Sequence, residues 1–341
     1  MTSDPIRLGV VGLGRAFVLM QATFRSDKRV QLVAAADPRP DARDRFEAEY
    51  GATSYTTAED LFAQSDIQAV YIASPHQYHA DQAIAAAQNG KHALVEKPMA
   101  VTIDDGLRMI AAFEEAGRHL LIGPSHSFDA PVRQARTLID SGELGRVRML
   151  HALNCTDFLY RPRRAEELRT EDGGGVIFSQ GVHQVDVVRL LCSQHATQIT
   201  AATGAWDPER PTEGAYSALI TFDNGAFASL AYSGYGRFDS DIWQDGISEL
   251  GRVKNPNDYG RARAALAHAT SPQQEADLKT TRAYGAVNTA LGAPQAPQHH
   301  EHFGPLLVFC DHGDLRVTPD GVHLYRDATQ EFLPCPFRHP R

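Results

Sequence analysis

Short apolar runs alternate with longer amphipathic stretches through the first 123 residues, a pattern that predicts strand and helix in strict succession. Ile6 to Val11, Val30 to Ala36, Ala69 to Ile72, His92 to Val95 and Leu120 to Ile122 read as buried strands. Between them, the alanine-rich stretch Gln77 to Asn89 reads as a helix closed by Gly90, where a left-handed residue is expected. Thr102 caps a second helix whose first turn carries Asp104 and Asp105, both favourable at the positive end of the helix dipole, and Gly117 ends it. Repeated βαβ units of this kind make a doubly wound parallel sheet, so residues 1–123 are expected to form an α/β domain.

After Gly123 the period changes. Longer strand-like runs bounded by turn residues appear at Val147 to Leu153, Gln198 to Gly204, Tyr216 to Phe222, Ala226 to Ser233, Leu306 to Cys310, Asp314 to Thr318 and Val322 to Tyr325. Asp223-Asn224-Gly225 between two of them is a hairpin signal. Residues 124–341 are therefore expected to form an α+β domain with a mostly antiparallel open sheet. The polar, alanine- and proline-rich stretch from Asp241 to Gln298 predicts one or two helices serving as a lid or a subunit contact.

Composition narrows the function classes. A chain of 341 residues exceeds the size at which one core keeps growing, which supports two domains. A net charge of −9 gives no overall pull toward nucleic acid or anionic membrane, and no apolar run is long enough to cross a bilayer. The N-terminus lacks a basic and apolar leader, so a cytoplasmic protein is expected. Cys155, Cys192, Cys310 and Cys335 stand far apart and are expected to be free thiols. His299-His300-Glu301-His302 has no usual zinc spacing; a solvent-exposed cluster or subunit contact is expected, with no metal.

Candidate chemistry begins at Gly12-Leu13-Gly14-Arg15-Ala16, which follows the first strand and opens a helix. Gly12 permits a tight turn, Gly14 lets backbone approach a pyrophosphate, and the helix N-terminus supplies NH donors. Phe17 stands where a third small residue is usual. Asp37 ends the second strand at the distance that suits a ribose diol and favours NAD, while Arg39 could receive a 2′-phosphate and keeps NADP open. This is the signature of a Rossmann fold. Glu96-Lys97-Pro98 then follows the strand-like run Ala93 to Val95, which puts a lysine on the ligand-binding rim of the sheet.

Three segments together resemble the Gfo/Idh/MocA family of oxidoreductases: the glycine turn, the run from Ala69 through Ser74-Pro75-His76-Gln77-Tyr78-His79 to Glu96-Lys97-Pro98, and Gly181-Val182-His183-Gln184-Val185-Asp186. The resemblance implies cofactor contacts at Ser74, Pro75, His79, Glu96 and Lys97, and action on substrate by Lys97 and His183. It also implies homo-oligomers joined through the open face of the second sheet. Where many members of the family carry aspartate four residues before the histidine, this chain has Ser179.

Further segments are similar to the branch of 4,5-dihydroxy-4,5-dihydrophthalate dehydrogenases. They include Ser125-His126-Ser127-Phe128-Asp129, Tyr160-Arg161-Pro162-Arg163-Arg164 and Gly173-Gly174-Gly175. His126, Tyr160, Arg161, Arg163, Arg164 and His183 are the candidate substrate contacts, the arginines because guanidinium forks match carboxylates; a solvated basic loop is the alternative. Oxidising a carbinol requires a base for the hydroxyl proton; His183 is expected to take it, with Lys97 hydrogen-bonding the reacting oxygen, and the reverse assignment is the alternative. Asp186, three residues after His183, would orient the imidazole. A sugar or polyol dehydrogenase and a non-catalytic dinucleotide-binding regulator are the competing readings.

Overall fold

A computed structural model describes residues 4–285 and 296–337. Six strands, β1 (Ile6–Val11), β2 (Val30–Ala36), β3 (Thr53–Tyr55), β4 (Ala69–Ile72), β5 (His92–Val95) and β6 (Leu120–Ile122), form an all-parallel sheet in the order β3-β2-β1-β4-β5-β6. The order reverses between β1 and β4, which opens a crevice beyond their carboxyl ends. Helices α1 (Arg15–Ser26), α2 (Pro40–Tyr50), α3 (Ala58–Phe62), α4 (His79–Gln88) and α5 (Ile103–Ala116) connect the strands. The Thr102 hydroxyl accepts from Asp105 N, and Gly117 takes the left-handed conformation, as their positions in the sequence require. Residues 76–78 form a separate 3-10 turn, so the helix expected from Gln77 starts at His79.

The second sheet has eight strands: β7 (Val147–Cys155), β8 (Ala196–Gly204), β9 (Ala215–Phe222), β10 (Phe227–Ser233), β11 (Leu306–Cys310), β12 (Asp314–Thr318), β13 (Gly321–Tyr325) and β14 (Gln330–Pro334). Their order is β14-β13-β12-β11-β7-β10-β9-β8, and β7 with β10 is the one parallel pair among them. Inward positions such as Leu150, Ile220, Leu230 and Val308 pack under α6 (Ala130–Asp140) and α7 (Val182–Cys192). Alternation along the strands leaves Leu219, Phe227 and Leu307 exposed on the other face.

Two strands escaped the sequence pattern. Thr53–Tyr55 is only three residues long, and Gln330–Pro334 is largely exposed, so neither carries an apolar run to be recognised. The stretch beyond Asp241 contains α8 (Arg261–Ala267) and α9 (Pro272–Thr280); residues 286–295 of it lie outside those described. Its end crosses back to the first sheet. Tyr284 is buried there against Phe17, edge-on at 5.1 Å, with Arg45 over its ring at 4.7 Å and its hydroxyl on Glu49. The four cysteines are free thiols, and no helix among the described residues is long and apolar enough to cross a membrane.

Candidate active site

The glycine turn sits at the switch point of the parallel sheet. Gly12 has φ +89°, and a Cβ there would lie 2.7 Å from the Ala73 carbonyl oxygen, so the turn tolerates no side chain. Gly14 is the N-cap of α1 and has no side chain of its own to cap it, which leaves the first NH groups of a 12-residue helix, from Arg15 and Ala16 onward, for an anion. These features fit a dinucleotide pyrophosphate. Phe17, in place of a third small residue, points into the core and fills the space that Tyr284 also occupies.

Asp37 ends β2 as expected and is buried, but its carboxylate is already engaged. Oδ2 accepts from Leu13 N at 2.8 Å and Arg39 Nη2 at 3.2 Å; Oδ1 accepts from Arg39 N at 2.9 Å and Arg39 Nε at 3.0 Å. Arg39 is tethered further, by Nη2 to Leu13 O and by Nη1 to Tyr284 O. The arginine is thus folded over the aspartate and not held out toward solvent.

Around the Ser74-Pro75 loop, several residues expected to touch a cofactor serve as braces. His79 is fully buried, with Nδ1 at 2.8 Å from Pro98 O and Nε2 at 3.0 Å from Ser74 O, so it fixes the Ser74-Pro75 loop and leaves no ring nitrogen for a cofactor. The Ser74 hydroxyl donates to Gln82. Glu96 accepts from the Tyr71 hydroxyl at 2.5 Å. Gly173, at φ +80°, passes so close to His76 that a Cβ would lie 3.2 Å from the His76 Cβ, and its carbonyl faces His76 Nδ1 at 2.9 Å. Burial holds that imidazole neutral, its pKa lowered to about 4.

Lys97 follows β5, and its Nζ donates to Ser179 O at 2.8 Å, reaching from the first sheet to the second half of the chain. Ser179 lies in a π-helical turn, Ile177–Gly181, that runs directly into α7. Wide turns of this kind are frequent at functional sites. Burial pushes the Lys97 ammonium below its usual pKa, against the pull of Glu96. His183, near the start of α7, is pushed well below 6.5 by burial and then by the charges of Lys97 and His126.

Asp186 does not orient His183. Neither ring nitrogen of His183 hydrogen-bonds to any described residue, its Nδ1 is buried and unpartnered, and so is Asp186 Oδ2. The spacing put both on one helix without making their polar atoms meet. Instead His183 packs against two rings from elsewhere, His126 at 4.8 Å and Phe303 at 4.9 Å between centroids. His126 Nδ1 meets Asp129 Oδ2 at 2.8 Å. Burial opposes charge on His126, but the hydrogen bond and charge of Asp129, with Glu301 and Glu249, outweigh it and raise its pKa.

The arginine segment is paired throughout. Arg161 reaches Asp157 at 3.3 Å and Glu249 at 3.7 Å. Arg163 lies over the Phe158 ring at 3.6 Å and donates to Phe158 O, with Glu167 at 3.8 Å; burial lowers its pKa to about 10. Arg164 meets Glu166 at 2.9 Å. Tyr160 turns away to Arg263 and Tyr235. Arg161 is joined through Glu249 to Asn154 at 2.9 Å, and the charges of Arg163, Glu249 and Glu167 all act on Lys97.

Glu249, Asn154 and Asp129 were missed as site residues. Asp129 three residues after His126 was a readable spacing, whereas Glu249 sits in a loop with no periodic signal. His302, expected in a solvent-exposed cluster, is buried, with Nε2 on Ile247 O and Nδ1 accepting from Gly304 N.

Comparison with known proteins identifies the family. Residues 6–123 match the oxidoreductase family with an NAD-binding Rossmann fold, and residues 132–244 match the GFO/IDH/MocA C-terminal domain. A relative in Comamonas testosteroni, 1-carboxy-3-chloro-3,4-dihydroxycyclohexa-1,5-diene dehydrogenase, is 48% identical over 95% of this chain and 82% of its own. A solved protein of Bordetella bronchiseptica RB50 superposes with TM-score 0.90 at 43% identity, covering 97% of this chain and 85% of that one. The WlbA dehydrogenase of Bordetella pertussis, solved with NADH and UDP-GlcNAcA, shares the fold at TM-score 0.67 and 23% identity, over 98% of this chain and 80% of that one. The chain belongs to the GFO/IDH/MocA family of oxidoreductases and is a dehydrogenase built to take a nicotinamide dinucleotide.

Proposed function

We propose that this dehydrogenase oxidises a ring-carboxylated cis-dihydrodiol, such as that of phthalate, to the corresponding catechol. The observation that carries the reading is the Lys97 ammonium held over Ser179 beside His183, at the crevice where a nicotinamide cofactor binds. The relative from Comamonas testosteroni, named for a singly carboxylated diene with vicinal hydroxyls, supports the substrate class.

Bound NAD supplies the hydride acceptor for the carbinol carbon. Lys97, made less basic by burial, hydrogen-bonds the reacting oxygen and stabilises it as its proton leaves. An imidazole takes that proton. Arg161 binds the carboxylate, since it is part-exposed and its partners Asp157 and Glu249 lie at 3.3 and 3.7 Å, leaving guanidinium NH groups for a ligand. Arg163 and Arg164 are committed to Phe158 and Glu166, so Arg161 is the guanidinium that selects a carboxylated ring. The ring ketone formed tautomerises to an aromatic catechol, which draws the reaction forward.

The test is reduction of NAD on mixing the protein with cis-dihydrodiols carrying two, one or no ring carboxylates and with inositol and simple sugars. Turnover of a carboxylated dihydrodiol well above the uncharged one is expected. Turnover of inositol or a sugar alone would replace this reading with a polyol dehydrogenase.

A further inference from the structure

We propose that Arg282, from the strap after α9, and Arg252, from the loop before α8, hold the diphosphate of the bound dinucleotide together with Arg15, so that both halves of the chain grip the cofactor. The inference rests on the nicotinamide-dinucleotide binding concluded above and not on the identity of the substrate.

The strap is fastened to the glycine turn itself. Tyr284 N donates to Leu13 O at 3.2 Å, and Tyr284 O accepts from Arg39 Nη1 at 3.1 Å. Leu13 stands between Gly12 and Gly14, so the strap backbone runs along the turn suited to a pyrophosphate. Arg15 and Arg282 each lie two residues from that bonded pair, a span of at most about 7 Å, which keeps both within side-chain reach of the N-terminal end of α1.

The other end of the strap is fixed as firmly. In α9, Glu275 accepts from Arg163 N and from Arg210 Nη1, each at 2.6 Å, and Lys279 pairs with Glu167. Arg282 N donates to Lys279 O at 3.0 Å as the helix ends. Arg282 therefore stands between an anchor on the second half and an anchor on the first.

Pairing sets the three guanidiniums apart from their neighbours. Arg39 is paired with Asp37, Arg45 with Glu49, Arg161 with Asp157, Arg210 with Glu275 and Arg261 with Asp258. The guanidiniums of Arg15, Arg252 and Arg282 have no hydrogen bond or ion pair with any described residue, and Arg252 Nε is buried without a partner. They act on one another instead. Burial, then the charges of Arg282 and Arg252, lower the pKa of Arg15; burial, then Arg161 and Arg261, lower that of Arg282 against the pull of Asp157. Positive groups gathered at a helix N-terminus without a counter-charge make a field for an anion of more than one charge. A diphosphate is such an anion, and guanidinium forks match its oxygens. Arg252 also acts on Glu301, so the larger share falls to Arg282.

The experiment measures binding of NADH by its fluorescence, with ADP-ribose as competitor and adenosine, which carries no phosphate, followed by ligand-observed NMR. Arg282→Gln is expected to weaken NADH and ADP-ribose roughly 10- to 100-fold, the value of a charge-assisted contact, and to leave adenosine within about twofold. Its NADH affinity should also fall less steeply with added salt than that of the wild type. Arg252→Gln should show a smaller loss of the same kind. Arg282→Lys keeps the charge and should stay within about threefold of the wild type, which judges the assignment even if the glutamine variant folds poorly. Equal losses for adenosine and ADP-ribose would mean that Arg282 only shapes the strap, and would overturn the proposal. So would unchanged NADH binding with a raised KM for a carboxylated dihydrodiol, which would assign Arg282 to the substrate beside Arg161. A wild type that binds no NADH would instead refute the dinucleotide reading itself, and the assignment with it.

Discussion

Tyr284 offers the sharpest test of how the two halves of the chain are joined. It comes from the stretch after α9 yet is buried in the core of the parallel sheet, packed on Phe17 and covered by Arg45. Truncation to alanine removes an aromatic ring of the kind that buries 150 Å² or more, which at about 25 cal/mol per Å² is about 4 kcal/mol before any collapse of the cavity. The range for large aromatic truncations, roughly 3–5 kcal/mol, agrees. Tyr284→Phe keeps the ring and loses only the hydroxyl bond to Glu49, for which about 1 kcal/mol is expected at a part-exposed carboxylate. Urea denaturation followed by far-UV circular dichroism measures both, and the two variants should separate clearly. A Tyr284→Ala midpoint within experimental error of the wild type would show that the strap does not contribute to the first core, and the reasoning from burial would be wrong.

Gly12→Ala should abolish measurable NADH binding while leaving the fold intact by circular dichroism, since the new methyl would meet Ala73 O at 2.7 Å in a backbone conformation of φ +89°. Arg161→Ala should raise KM for a carboxylated dihydrodiol roughly 10- to 100-fold, the value of one charge-assisted contact of about 1.5–3 kcal/mol, and leave KM for an uncharged dihydrodiol within a factor of two in steady-state assays. His76, neutral in the fold with pKa about 4 against 6.5 unfolded, binds its proton more readily when the chain unfolds. Stability should therefore fall as pH drops from about 6.5 to 4, by up to about 3 kcal/mol from this group, and His76→Gln should flatten that part of the stability–pH curve.

The parallel sheet, apart from its three-residue edge strand Thr53–Tyr55, was legible because its strands are short, mostly apolar and punctuated by glycine and capping residues, so local rules and the final fold agree. Lys97 and the glycine turn were legible for a related reason: strand ends fix where the following residues go. Asp186 misled, because helical spacing brings two residues to one face without specifying how their polar atoms point. The arginines were half legible. Their charge was visible in the sequence, but Asp157, Glu166, Glu167 and Glu249 that neutralise them are partners chosen by loop conformation. Tyr284 could not have been placed at all, since its neighbour Phe17 is 267 residues away in sequence and no local pattern encodes such a crossing.

The bond from Lys97 to Ser179 spans the gap between the two sheets. A hinge motion wide enough to let a nucleotide in or out would part that pair, return the ammonium to water and restore its ordinary basicity. The lowered basicity of this one side chain therefore depends on the two halves of the chain meeting there.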